Sequence, residues 1–336
     1  MINIPFPRAE LCHAPTPLER LENLSRALNG PEIFIKRDDC TGLAMGGNKA
    51  RQLEYYLGRA REMHADTILI TGAVQSNYVR MAAAAARHCA MDCHIQLEER
   101  VERSDSLYRN SGNVLLDRIL GATIHSYPQG EDEQGADARL EELADDLRAK
   151  GARPYVIHLG PGRDPLGALG YVTAAGEILD QIARRDIPIS DLVVASGSGA
   201  THAGLLSGLR ARGSAMRVWG ICVRRDAGAQ AERVSDACRK LARMLKINPV
   251  VAEEDVLLAD ATLAPGYGLL NDEAKKAIRL MAEHEGIFLD PVYTGKSAAG
   301  MIGLIDGGEI GPGARVLFVH TGGVPALFAY GDSFGN

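Results

Sequence analysis

An α/β fold of parallel sheets with flanking helices is predicted by two features of the chain. Apolar, strand-like runs alternate with helical periodicities along most of its length, which places helices on the faces of parallel strands. Glycine-rich loops follow several of these runs, where ligands collect in open α/β sheets. The composition agrees, with 46% hydrophobic and 24% charged residues over 336 positions, ordinary for a globular chain. At roughly 100 to 200 residues per domain, this length allows two domains or one large two-lobed body.

The alternation starts near residue 48. Leu53, Leu57 and Ala60 recur at helical spacing ahead of the apolar run at 67–71, and Gly72 then leads into an alanine-rich helix. CHIQLEE, ATIHSYP, PYVIHLG and DLVVASG read as strands. SGNVLLDRILG, residues 136–150, residues 168–182 and THAGLLSGLRARG read as the intervening helices. The acidic stretch at 130–146 reads as a solvated loop running into an exposed helix face. No repeat of 20 to 50 residues is visible.

Charge and cysteine content narrow the function classes. With 37 Lys and Arg against 43 Asp and Glu, the net charge is −6, so no basic footprint for nucleic acid or an anionic membrane exists. Six scattered cysteines lack zinc spacing and read as reduced thiols, with no metal expected. No apolar run reaches the roughly 20 residues of a membrane span, and the N-terminal MINIPFPRAE resembles no signal peptide, so a cytoplasmic protein acting on a small molecule is expected.

Five segments could carry chemistry. Gly197, Ser198, Gly199, Ala200 and Thr201 follow a strand and open a helix, as an anion cradle or a tight structural turn would. A dinucleotide fingerprint fails there, because His202 takes the third glycine's place and Arg224 and Arg225 stand where a ribose-binding acid is wanted. Lys49, in GGNKAR, sits at a helix start beside a positive dipole end; it is a solvated lysine or a neutral amine able to form a Schiff base. Ser76, Asn77 and Tyr78 follow a strand as a ligand-binding loop or a helix cap. Residues 289–296 and 320–326 read as loops closing over a site.

In combination, IFIKRDD, GGNKARQLE, GAVQSNYVR, ASGSGATHAG, APGYG, DPVYTGKSAAG and HTGGVPALFAY resemble the pyridoxal-phosphate enzymes of the tryptophan synthase β fold type. The branch resembled holds D-cysteine desulfhydrase, L-cysteate sulfo-lyase and 1-aminocyclopropane-1-carboxylate deaminase, and the likeness runs over nearly the whole chain. It implies pyridoxal 5'-phosphate bonded to Lys49, its phosphate on Gly197 to Thr201 and its phenolic oxygen on Asn77. Ser76, Asn77 and the Tyr78 amide would hold the substrate carboxylate, and Ser76 would serve proton transfer on the face opposite Lys49. Tyr293 and Tyr267 would protonate or orient the leaving group. Thr294 replaces the Glu of the deaminase, which leaves the cofactor's pyridine neutral and favours a substrate with its own good leaving group.

The resemblance thus implies β-elimination from D-cysteine or L-cysteate to pyruvate, ammonia and sulfide or sulfite. The alternatives are the cyclopropane deaminase and a pyridoxal-phosphate-binding protein without turnover. It further implies a homodimer, with a smaller mobile lobe of residues 51–160 and a larger cofactor-binding lobe of residues 1–50 plus 161–336. Two departures fall at the pocket wall. SNY replaces the SNH of many relatives, and the loop Gly160-Pro161-Gly162-Arg163-Asp164 replaces GGSN, which makes Arg163 a candidate for an anionic substrate end or a solvated residue.

Overall fold

Strands and helices alternate along a computed structural model that describes residues 3–160 and 162–335. The chain opens with β1 (Leu18–Arg20), α1 (Glu22–Leu28), β2 (Glu32–Lys36) and α2 (Asn48–Glu62). There follow β3 (Thr67–Ala73), α3 (Asn77–His88), β4 (Asp92–Glu98), α4 (Ser106–Asn110), α5 (Gly112–Ile119), β5 (Thr123–Tyr127), α6 (Glu133–Ala149) and β6 (Pro154–Ile157). Next come α7 (Leu169–Arg185), β7 (Asp191–Ser196), α8 (Ala200–Arg210), β8 (Arg217–Cys222), α9 (Ala227–Leu245) and β9 (Leu257–Ala259). The last elements are α10 (Asp272–Glu285), α11 (Thr294–Asp306), β10 (Arg315–Val319) and the 3-10 run Val324–Ser333.

Two sheets result. The smaller, in the order β5-β4-β3-β6, is parallel throughout, and all its strands lie within residues 51–160. The larger, in the order β1-β2-β10-β7-β8-β9, is parallel except where β1 runs against β2. The fold is therefore the expected α/β architecture, with one antiparallel edge strand added.

Packing follows from the side chains. Every residue of β3 is buried, as befits a central strand covered on both faces. The small side chains of α3 let that helix lie close to the sheet, where Met81, Ala82 and Ala85 join Leu53, Leu57, Ile68 and Ile95 in one core. In the larger sheet α7 and α8 touch at glycines: a Cβ on Gly204 would stand 2.4 Å from the Ala168 carbonyl oxygen.

A buried ionic network fixes the start of α2. Arg51 bonds Asp38 and Glu177, Lys36 bonds Glu177, and the Tyr171 hydroxyl donates to Asp38 at 2.6 Å. Residue 51 is thus anchored to β2's C-terminal loop and to α7.

Residues 289–296 are not all loop. Asp290 accepts hydrogen bonds from the amides of Val292, Tyr293 and Thr294, which caps the chain into α11 from Thr294 onward. The sequence pattern misled because the cap precedes the helix by four residues and Gly295 resembled a loop glycine.

Candidate active site

A cavity opens at the C-terminal ends of both sheets. Lys49 reaches it from α2, Ser76 and Asn77 from the loop after β3, Arg100 from the loop after β4, Gly197 from the loop after β7 and Thr321 from the loop after β10. Strand register explains the convergence, since Ala73 pairs with Glu98 and brings the β3 and β4 loops side by side.

Lys49 lies in the first turn of α2 with its Nζ 4.7 Å from the centre of the Tyr78 ring. Burial pulls its pKa down from 10.5 to about 8, so about a tenth of the amine is neutral at pH 7, far more than for an ordinary lysine. A neutral buried amine is a nucleophile toward an aldehyde.

At the end of β7, Gly199 adopts φ 86°, a conformation that favours glycine, and α8 begins at the next residue. Arg225 donates to the Gly197 carbonyl and Arg233 to the Ser198 carbonyl, at 3.2 and 3.0 Å. The first-turn amides of α8 have no intrahelical acceptor, which is the donor arrangement a phosphate requires. Gly197, Ser198, Gly199 and Thr201 line the cavity, and Ala200 lines its outer opening. Thr201 also accepts from Asn48 and Gln52, both at 2.9 Å, and so ties this loop to the helix that carries Lys49.

Ser76 caps α3, its Oγ accepting from the amides of Tyr78 and Val79 at 3.1 and 3.4 Å. Cap and cavity wall are thus the same side chain, and the Tyr78 amide is already engaged with Ser76. Asn77 Oδ1 accepts from Asn113 at 2.9 Å and from Arg80 at 3.3 Å. Two donors on the oxygen orient the amide so that Nδ2 is the group left for a ligand. Gly323 is needed beside it: at φ 103°, a Cβ there would come within 2.7 Å of Asn77 Nδ2.

Tyr267 and Tyr293 line the same cavity and share a hydrogen bond of 2.7 Å between their hydroxyls. Burial raises the Tyr293 pKa well above 10, so this hydroxyl keeps its proton. Thr294, by contrast, is fully buried and is not brought to the cavity wall. Its hydroxyl donates to Asp290 Oδ1 and accepts from the Asp290 amide, both at 2.7 Å.

Two further expectations change. Arg163 is exposed and lines the outer opening with Asp164, not the inner cavity, because the loop after Gly160 runs along that rim; Pro161 lies outside the described residues. The acidic stretch at 130–146 is more than a solvated face. Glu133 lines the cavity and receives Arg224, Arg225 and Arg233, three cations from beyond β8 and from α9 that only the tertiary fold brings to it.

Arg80, Asn113, Asp290, Glu98 and Arg100 were absent from the sequence reading. Arg80 and Asn113 act on Asn77 from α3 and α5, and Glu98 and Arg100 form a two-point ion pair at the cavity wall. DPVY did contain Asp290, and its position four residues before a helical stretch was the available signal.

The residues present fit pyridoxal phosphate. A buried lysine of lowered pKa suits its aldehyde, the Asn77 Nδ2 its phenolic oxygen, and the α8 terminus its phosphate. The six cysteines are free thiols, and no group of metal-ligating side chains occurs among the described residues.

Comparison with known proteins agrees with this cofactor. The family model for pyridoxal-phosphate dependent enzymes matches residues 9–322. A crystal structure described as an ACC deaminase homologue is 37% identical, with a TM-score of 0.87 over 98% of this chain and 95% of that one. An O-ureido-L-serine synthase shares the fold at 17% identity and a TM-score of 0.69, covering 97% of this chain and 95% of its own. So does a hydrogen sulfide-producing enzyme from Fusobacterium nucleatum, at 16% identity and a TM-score of 0.62, over 93% and 96%.

Proposed function

The chain belongs to the pyridoxal-phosphate-dependent enzyme family, and on that footing we propose that it is a carbon-sulfur lyase acting by β-elimination on D-cysteine or L-cysteate. The observation that carries this reading is the meeting, in one cavity, of the buried Lys49 amine with the bonded hydroxyls of Tyr267 and Tyr293. A base and a proton donor then serve opposite ends of the Cα–Cβ bond.

Bound at Lys49, the cofactor supplies an electron sink that stabilises negative charge at the substrate Cα. Ser76 and Asn77 bind the α-carboxylate at the α3 terminus and fix which face of Cα is presented. The Lys49 amine would take the Cα proton, with Ser76 placed for the other face. Tyr293, or Tyr267 through it, would deliver a proton to the departing thiolate or orient departing sulfite. The remaining enamine leaves the cavity and hydrolyses to pyruvate and ammonia.

Similarity to a structure described as an ACC deaminase homologue favours a second reading, deamination of 1-aminocyclopropane-1-carboxylate. The absence of a carboxylate at residue 294 argues against it, because opening a cyclopropane needs the stronger electron withdrawal that an acid beside the ring would support. Retention of Lys49, Ser76, Asn77 and Tyr293 argues against a binding protein without turnover.

The exposed apolar side chains of Leu107, Leu115, Ile119 and Phe328 lie on α4, α5 and the C-terminal 3-10 run, which pack together; a second copy of the chain is the partner proposed for this patch. Movement of residues 51–160 over the cavity belongs to the same proposal, as does a cytoplasmic setting. No helix among the described residues is long and apolar enough to cross a membrane.

The test is identification of the keto acid formed by cofactor-loaded protein from each candidate in separate reactions. Pyruvate from D-cysteine or L-cysteate is the expected product. 2-Oxobutanoate from the cyclopropane, with no pyruvate from either sulfur substrate, would replace this reading with the second one.

A further inference from the structure

Arg100 is a cation at the cavity wall that the proposed elimination leaves without a task. Its Nε and Nη2 bond the two oxygens of Glu98, each at 2.8 Å, which fixes the plane of the guanidinium. Glu98 is held in turn by the Thr71 hydroxyl at 2.7 Å. Only 10% of the Arg100 side chain is exposed, and its Nη1 has no hydrogen-bond partner among the described residues. The guanidinium carbon lies 6.0 Å from the centre of the Tyr267 ring, so the free edge shares the cavity with the tyrosine pair.

The other arginines at this cavity have both terminal nitrogens committed, and the Arg224 Nε is buried without a partner among the described residues. Arg233 uses all three nitrogens, on Ser198, Glu133 and Leu159, and Arg224 uses both terminal nitrogens on Glu131 and Glu133. Both belong to the side where the glycine loop lies. Arg100 stands instead in the loop beside Ser76 and Asn77, as the pairing of Ala73 with Glu98 requires. A substrate whose carboxylate rests on Ser76 and Asn77 extends its β-substituent toward the tyrosines, and so toward this edge.

We propose that Arg100 is a specificity-determining residue that selects amino acids whose β-substituent carries a negative charge, a sulfonate or a carboxylate, over neutral ones of the same size. This rests on the proposed function only for the placement of the substrate carboxylate. Glu98 tempers the charge, so that the site offers directed N–H donors in place of a bare cation. Binding of the anion is then a charge-assisted hydrogen bond to a guanidinium that is only 10% exposed.

Aspartate and asparagine separate charge from size, since neither carries a sulfur leaving group and the two are isosteric. Calorimetric titration of the cofactor-loaded protein with each, in both enantiomers, reads the preference directly. Wild type is expected to bind aspartate on the order of ten- to a hundredfold more tightly. Arg100→Gln should reduce that ratio to about twofold while asparagine affinity and cofactor absorbance hold. Glu98→Gln should raise the ratio, because it removes the carboxylate that offsets the guanidinium.

A merely structural Arg100 predicts something else, namely that both variants move the ratio downward together, and that result would overturn the proposal. So would an unchanged ratio in Arg100→Gln, or no preference in wild type. If Arg100→Gln fails to take up cofactor, Glu98→Gln decides alone, a raised ratio supporting the proposal and an unchanged or lowered one overturning it. The keto acid assay fails independently: absence of pyruvate with an Arg100-dependent preference removes the lyase reading only, and pyruvate with an Arg100-independent preference removes this one only.

Discussion

Arg51 meets Asp38 through two parallel hydrogen bonds, Nε to Oδ2 and Nη2 to Oδ1, each 3.0 Å long and both fully inside the protein. Because Arg51 lies two residues after Lys49 on α2, this pair sets where the reactive amine stands. Burial acts to raise the Asp38 pKa, but the Arg51 charge and its hydrogen bonds hold it below 3.8.

Asp38→Asn should therefore destabilise the protein by about 1.5 to 3 kcal/mol, because the buried guanidinium loses one of its two carboxylates and keeps Glu177. Urea unfolding at neutral pH measures it. A depressed folded-state pKa contributes stability above the unfolded value, and that contribution is lost as pH falls through the folded one. Wild-type stability should thus drop more steeply than the variant's below about pH 4.

Lys49→Ala should abolish both the cofactor's bonded absorbance and turnover. In wild type the rate of cofactor uptake should rise with pH and reach half its maximum near the lysine pKa of about 8, since only the neutral amine attacks. Stopped-flow absorbance gives the profile, and a midpoint at 10.5, the ordinary lysine value, would show that burial does not tune this amine. Stability of the cofactor-free protein should increase between those two pH values, because there the unfolded chain binds the extra proton.

Replacing Tyr293 by Phe removes the hydroxyl bonded to Tyr267. The expected result is a loss of about 10²- to 10⁴-fold in kcat for a thiol leaving group, which must be protonated. Chloride from β-chloroalanine leaves without a proton, so turnover of that substrate should fall far less. Equal losses for both substrates would give the tyrosine a packing role instead.

Thr294→Val keeps the shape of the side chain and deletes a hydroxyl that both donates to Asp290 and accepts from it. Stability should fall by about 1 to 3 kcal/mol, with Thr294→Ser close to wild type. Thermal unfolding of the cofactor-free protein isolates this effect from any contact with the ring, and a shift in the absorbance of the loaded protein reports such a contact.

Local motifs made part of the site legible. Gly197 to Thr201, Ser76 and Asn77, and Lys49 each lie at a strand-to-helix turn or helix start, so a few consecutive residues announce both the turn and its donors. Glu98, Arg100 and Glu133 have no such signature. Glu98 and Arg100 matter because β4 pairs with β3, and Glu133 matters because three arginines from distant segments converge on it. Thr294 shows the reverse error. Its place after Tyr293 suggested a cavity-facing hydroxyl, whereas the turn set by Asp290 directs that hydroxyl into the helix start.

Glu133 gives the arginine cluster a thermodynamic meaning. Arg225 and Arg233 each hold a carbonyl of the glycine loop and, with another nitrogen, the carboxylate at the head of α6. A perturbation that strains one of these attachments is felt at the other, and linkage makes the effect mutual. The conformation of the glycine loop and the docking of α6 are therefore a single coupled equilibrium.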